Sequence, residues 1–324
     1  MKVFLISNTL FGFKNKKHLN TQLDYFNQFF IPFIQKTASK DDILIHLGNF
    51  FDSQNINVNI FNKCQIIFEK ISQILPVKLM VGKLDKSIES IDNKINTLSI
   101  FKNFNNIEII DSKTNINNIT IIPYSKNHTL NHLNDLQEIV LFNSDYKNHN
   151  VDIVKEILKK YFSYCGCYNN YEIDDTIVNV GSPYQLDRDW TTNKGFLVID
   201  TESKKHKFIE NNSSPKFEKI EIKSIEDLKD LETKKEYISK NYIDVSVDQS
   251  LLNEKKLKLD IYLSKFDFNK IEYKGEDKIE SVILSEEAYD IDKMIYEHIT
   301  NLKDDELLDD FENIKKLSMT LGKK

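Results

Sequence analysis

Eight short apolar runs constrain the fold more than any other feature of this chain. They lie at residues 3–6, 43–47, 77–81, 107–110, 119–122, 139–142, 177–180 and 196–199. Each is rich in Val and Ile and is closed by Gly, Asn or Ser, which marks a short buried strand. Between the first three, residues 23–37 and 59–74 carry apolar side chains at helical spacing. This β-α-β rhythm predicts an α/β domain with functional side chains gathered at the carboxyl ends of its strands.

The texture changes after about Ser203. Asn211-Asn-Ser-Ser-Pro215 is a turn-rich break, followed by a strand-like run at 217–222, a Lys/Glu-rich helix near 225–233 and a second strand-like run at 242–247. Helix and strand then alternate to about Leu284, so a small α+β domain is expected at 204–284, appended to an α/β domain at 1–203. From Ser285 to the C-terminus the pattern is helical. Ile291, Met294, Ile295, Ile299 and Leu302 share one face, and Leu307, Leu308, Phe311, Ile314 and Leu317 continue it beyond Lys303-Asp-Asp305. Such a stretch either packs on its own domain or docks in a partner's groove, and the acidic Asp304-Asp-Glu306 linker suits docking.

The 324 residues allow two or three domains, and the net charge is −6. An acidic whole does not suit a protein that grips nucleic acid unaided, because that affinity comes from neutralising phosphates with Lys and Arg. The basic runs Lys14-Asn-Lys-Lys-His18 and Lys204-Lys-His-Lys207 are either local DNA contacts or solvated loops. Three cysteines, Cys64, Cys165 and Cys167, form no disulfide framework and point to a reducing compartment. No run approaches the roughly 18–20 apolar residues of a membrane span. An intracellular, cytoplasmic protein with no membrane partner is the expectation.

Six of the eight glycines close strand-end segments in a particular order. The segments read Ser7-Asn-Thr-Leu-Phe-Gly12, Gly48-Asn-Phe-Phe-Asp52, Gly82-Lys-Leu-Asp85, Phe142-Asn143 and Gly166-Cys-Tyr-Asn169. Gly181-Ser-Pro-Tyr-Gln-Leu186 and Lys194-Gly-Phe-Leu-Val-Ile-Asp200 follow. Over residues 1–200 this arrangement resembles the SbcD family of calcineurin-like DNA nucleases, the meiotic-recombination-eleven group, and within it the subunit carried by tailed phages. That family reads Ser-Asp-x-His-x-Gly, Gly-Asp-x-x-Asp, Gly-Asn-His-Asp, Gly-His and Gly-His-x-His at these places. The resemblance implies a calcineurin-like metallophosphoesterase four-layer sandwich, a capping domain and C-terminal helices at 285–324.

The same resemblance implies a pair of manganese ions held by carboxylates, imidazoles and one amide, with a metal-bound hydroxide attacking a phosphodiester. Matched position by position, that set is gone. Asn8 and Leu10 replace an aspartate and a histidine, and Asn49 replaces the carboxylate that bridges the metals. Lys83 replaces the metal-binding asparagine and Leu84 the histidine that assists the leaving group. Asn143, Cys167 and Asn169 replace the remaining histidines, while Asp52 and Asp85 persist in supporting places. The expectation is therefore a catalytically degenerate subunit with no metal cofactor. Its implied partners are an SbcC-like coiled-coil ATPase bound through Ile291, Met294, Ile295, Ile299, Leu302, Leu308 and Phe311, and a second subunit, either a copy of itself or an active paralogue. DNA would be engaged only within that complex, with Lys83 as a phosphate contact. The alternative from another class is an active metal-dependent nuclease with a shifted ligand set drawn from His46, Asp52, Asp85, His149 and Cys167.

Overall fold

The structure is a computed structural model, and it describes residues 1–13, 16–86, 96–125, 133–146, 156–251 and 256–274. The partner-binding residues expected from Ile291 to Phe311, and His149, lie outside the described residues. The chain divides into two units, Met1–Glu218 with Lys240–Tyr242, and Lys219–Ser239 with the chain from Ile243 on.

The first unit is built on two six-stranded mixed sheets. In the first, β1 (Lys2–Ile6), β2 (Ile43–His46), β3 (Val77–Met80) and β4 (Ile107–Ile110) run parallel. β11 (Gly195–Asp200) and β12 (His206–Glu210) extend this sheet antiparallel beyond β1. In the second sheet β6 (Ile119–Ile122), β7 (Ile139–Phe142), β8 (Phe162–Cys165) and β10 (Ile177–Asn179) are parallel. Its antiparallel edges are β5 (Thr114–Ile116) and β9 (Glu172–Asp174).

Side-chain alternation explains why the central strands read as unbroken apolar runs. Val3, Leu5, Ile43 and Ile45 from one sheet share a core with Ile119, Ile121, Ile139, Leu141 and Val178 from the other. Phe4, Ile6, Leu44 and Leu79 point the opposite way into a second core. A period of two on a sheet covered on both faces buries both sets of positions, so polar residues such as His46 and Thr120 are exceptions. The helices over the outer face of the first sheet are α1 (Lys16–Asp24), α2 (Ile31–Thr37) and α3 (Val58–Ser72). On the outer face of the second sheet, a smaller cluster around Val140, Phe142 and Ile177 has only a short helical turn at Leu158 among the described residues.

The structure departs from the sequence expectations in three places. The helix expected at 23–37 begins at Lys16 and passes through a π-helical stretch, Tyr25–Phe30, before α2. Pro32 explains the widening: it has no N–H to donate, its ring crowds the carbonyl four residues back, and Ile31 N–H reaches instead to Phe26 O. Secondly, β5, β8, β9 and β12 are strands that apolar periodicity did not reveal. Thirdly, the boundary expected at 203 falls in the turn of the β11–β12 hairpin, where the Asp200 carboxylate accepts the backbone N–H groups of Glu202 and Ser203. The first unit therefore runs on to Glu218.

The second unit contains a three-stranded sheet in the order β13 (Phe217–Ile222), β14 (Tyr242–Val247), β15 (Lys270–Tyr273). Its core comprises Ile222, Leu231, Ile238, Val245, Val247, Leu259 and Leu263, from the strands and from α4 (Ile225–Thr233), α5 (Lys235–Lys240) and α6 (Lys256–Leu263). Ser224 starts α4 with a reciprocal capping box to Asp227. Among the described residues no helix is long and apolar enough to cross a membrane.

Candidate functional site

The parallel strands β1, β2 and β3 end side by side, so the loops at 7–12, 47–52 and 81–86 meet at one edge of the first sheet. The loops at 143–146 and 166–170 join them from the second. How closely they meet is set by glycine. A Cβ on Gly48 would lie 2.5 Å from Gly82 Cα, and one on Gly166 would lie 2.2 Å from Leu47 O. No other residue permits backbones to approach that closely.

Amides stitch these loops together. Asn8 Nδ2 donates to Tyr168 O at 2.8 Å, and Asn8 Oδ1 accepts from Asn49 Nδ2 at 2.8 Å. Asn49 Oδ1 in turn accepts from the Leu84 N–H at 3.1 Å. Asn143 Nδ2 donates to Leu47 O at 2.8 Å and to Gly166 O at 3.2 Å, while its Oδ1 accepts from the Lys83 N–H at 3.3 Å. All three side chains are buried, and each amide has both its oxygen and its nitrogen committed to protein. Asn8 and Asn49 hold left-handed backbone, at φ 52° and 57°, which asparagine tolerates better than most residues. Leu10, at φ 47°, has no such excuse. Its side chain lies in the aromatic core with Phe11 and Phe26 and its backbone is pinned, N–H to Asn49 O and carbonyl to Gln22 Nε2. The surrounding contacts over-determine a strained conformation.

One fully buried carboxylate lies within the loops. Asp85 is fully buried and accepts four backbone N–H groups, from Gly82 and Asn49 on one oxygen and from Phe50 and Phe51 on the other, at 2.8–3.3 Å. Burial pushes its carboxyl up to about 6 against the downward pull of those four donors. Asp85 thus works as a clip between the second and third loops.

His46 is likewise spent internally. The Thr9 hydroxyl donates its one proton to Phe50 O at 2.9 Å and must accept from His46 Nε2 at 3.0 Å. Nδ1 then accepts the Gly48 N–H at 3.1 Å. The ring is neutral, and burial holds its pKa at about 3. The Cys167 thiol is pushed up to about 11 by burial and by nearby Asp145, with Lys83 acting against them. It therefore carries its proton at neutral pH.

The structure thus brings Asn8, Asn49 and Asn143 into one network, to which Lys83 and Leu84 contribute only backbone N–H groups. Their side chains are exposed. Leu10 turns away into the core. Asn169 contributes its carbonyl, which accepts from Ser182 N–H at 3.0 Å and from the Lys194 ammonium at 3.0 Å. Among the described residues no three His, Cys, Asp or Glu side chains gather as a metal-binding group, and the His46 ring and Asp85 carboxylate are both engaged with protein groups. A pair of divalent ions does not fit this donor set. Three neutral amides are already paired, the carboxylate faces four N–H groups, and a cationic side chain stands on the third loop. Sequence reasoning missed Ser7 and Thr9, whose hydroxyls fasten the first loop to Gly181 O and Phe50 O, and Ser182, whose hydroxyl donates to Asn8 O of that loop. It also missed Lys194, although a lysine set directly before an apolar strand is a signal that can be seen. No protein-family model matches the chain, and no curated protein is significantly similar to it.

Proposed function

We propose that this chain is a catalytically degenerate SbcD-like subunit on a calcineurin-like scaffold. In this reading it acts as a non-cleaving scaffold or DNA-end-binding partner of an SbcC-like coiled-coil ATPase in a repair or recombination complex. The observation that carries the reading is the closed amide network. Asn8, Asn49 and Asn143 stand where the resemblance implies ligands, and their hydrogen-bonding capacity is satisfied by one another and by loop backbone. Opening the network for a cation would orphan buried polar groups at about 1–3 kcal/mol each. No partial dismantling recovers a bridging carboxylate. The test is a nuclease assay on linear and single-stranded DNA with added manganese, paired with metal analysis of the purified protein. The expected result is substoichiometric metal and no manganese-dependent cleavage. Stoichiometric metal with cleavage lost in Asp85→Asn would overturn the reading.

Lys83 supports the DNA-facing half of it. Its side chain is exposed at the mouth of the network while its backbone is fixed by Asn143, so a cation is presented from a rigid loop. Phosphate contacts of this kind contribute salt-dependent affinity without sequence preference. Lys83→Glu is expected to weaken DNA binding by the ATPase complex by about threefold to tenfold at low salt, with the difference shrinking as salt rises. Unchanged affinity across a salt series would remove Lys83 from the interface.

A further inference from the structure

Lys194 is the one buried lysine among the described residues. Only 4% of it is exposed, yet both hydrogen-bond acceptors of its ammonium are neutral. Nζ donates to Asn169 O at 3.0 Å and to Asn170 Oδ1 at 3.2 Å, and it lies 5.9 Å from the centre of the Trp190 ring. No carboxylate pairs with it among the described residues, and its third N–H has no acceptor there. Burial lowers its pKa to about 8, so the charge is still present at neutral pH.

A buried cation without a counter-ion carries an uncompensated desolvation penalty, and folded proteins normally pair it or dispense with it. Here a methionine would fill the same stem space without that cost. The groups that touch the ammonium, Asn169, Asn170 and Trp190, are themselves only partly buried, so the charge sits close to the surface. Trp190 adds a second donor, since its indole N–H has no acceptor among the described residues. Its ring is braced against Phe13 at 5.7 Å, which offers an apolar face beside the charge.

We propose that Lys194 and Trp190 form an oxyanion site on the outer side of the 166–170 loop, one that takes a phosphate group with a flat or apolar moiety beside it. The ammonium supplies charge and the third hydrogen bond, the indole N–H a further one, and the ring face receives a base or sugar. That chemistry comes either from the backbone of a single-stranded nucleic acid or from a free di- or polyphosphate. Lys194 acts in it whether or not Lys83 contacts DNA.

Trp190 is the chain's single tryptophan, so its fluorescence reports this site and no other. The experiment titrates the full-length protein at constant ionic strength with sodium pyrophosphate in one arm and a single-stranded oligothymidylate in the other. A saturable change in emission is expected in at least one arm, and the arm that responds identifies the source of the phosphate. Lys194→Met should abolish the response while keeping the wild-type melting temperature or raising it, and Lys194→Arg should retain the response. Lys83→Glu should also retain it even where DNA affinity falls, so the two sites can fail separately. Absence of a saturable change in both arms, or a change that persists in Lys194→Met, would overturn the proposal.

Discussion

Replacing Asp85 by alanine should destabilise the protein by about 3–5 kcal/mol at neutral pH, since four buried N–H groups lose their acceptor at roughly 1–3 kcal/mol each and only the relief of a buried charge offsets them. Chemical denaturation with far-ultraviolet circular dichroism measures this, and a loss under about 1 kcal/mol would show that the loops do not rely on the clip. The pH dependence gives an independent readout. The folded-state pKa of about 6 stands above the usual 3.8, so the folded form binds the proton more tightly than the unfolded form does. Stability contributed by this group therefore rises as pH falls through about 6 and is complete below the unfolded value. Above that window the ionised group costs the fold about 3 kcal/mol. Wild type should gain on Asp85→Asn, which has no such proton, as pH is lowered from 7 towards 5. Parallel curves for the two proteins would mean that the carboxyl titrates normally.

Asn49→Asp restores the carboxylate implied by the resemblance, yet it should destabilise this chain by about 2–4 kcal/mol. The Nδ2 that now donates to Asn8 Oδ1 at 2.8 Å would become a second oxygen facing that oxygen. Turning the Asn8 amide over does not help, because its own oxygen would then face Tyr168 O, 2.8 Å from the atom it replaces. A buried, unpaired negative charge results. Added manganese is expected to recover little of the loss, because Asn8, Asn143 and Lys83 offer the ion no further anionic ligand. Thermal unfolding of the variant with and without manganese decides the matter. Full rescue by the metal, or an unperturbed melting temperature without it, would indicate a cleft still adapted to cations.

Much of the scaffold was legible because it rests on local pattern. The central strands are buried on both faces, so composition alone marks them, and each of the eight predicted runs overlaps an observed strand. Strands β5 and β9 are three-residue edges with half-polar faces, and β12 alternates weakly, so neither period nor composition lifts them above the loops. The candidate site was legible as a set of strand-end segments closed by glycine and asparagine. Their pairing was not, because a hydrogen bond between Asn8 and Asn49 joins residues 41 apart, and the bond from Ser7 to Gly181 spans 174.

By itself the sequence determined that this chain alternates strands and helices, that glycines stand where loops must touch, and that the implied ligand positions carry amides, leucines, a lysine and a thiol. These are properties of single residues and short periods. Only the tertiary structure decided that the amides satisfy one another, that Asp85 is enclosed by four N–H groups and that Lys194 is buried without a counter-ion. Each depends on which loops meet after the strands have registered, and burial and pairing are properties of that meeting, which no single segment carries.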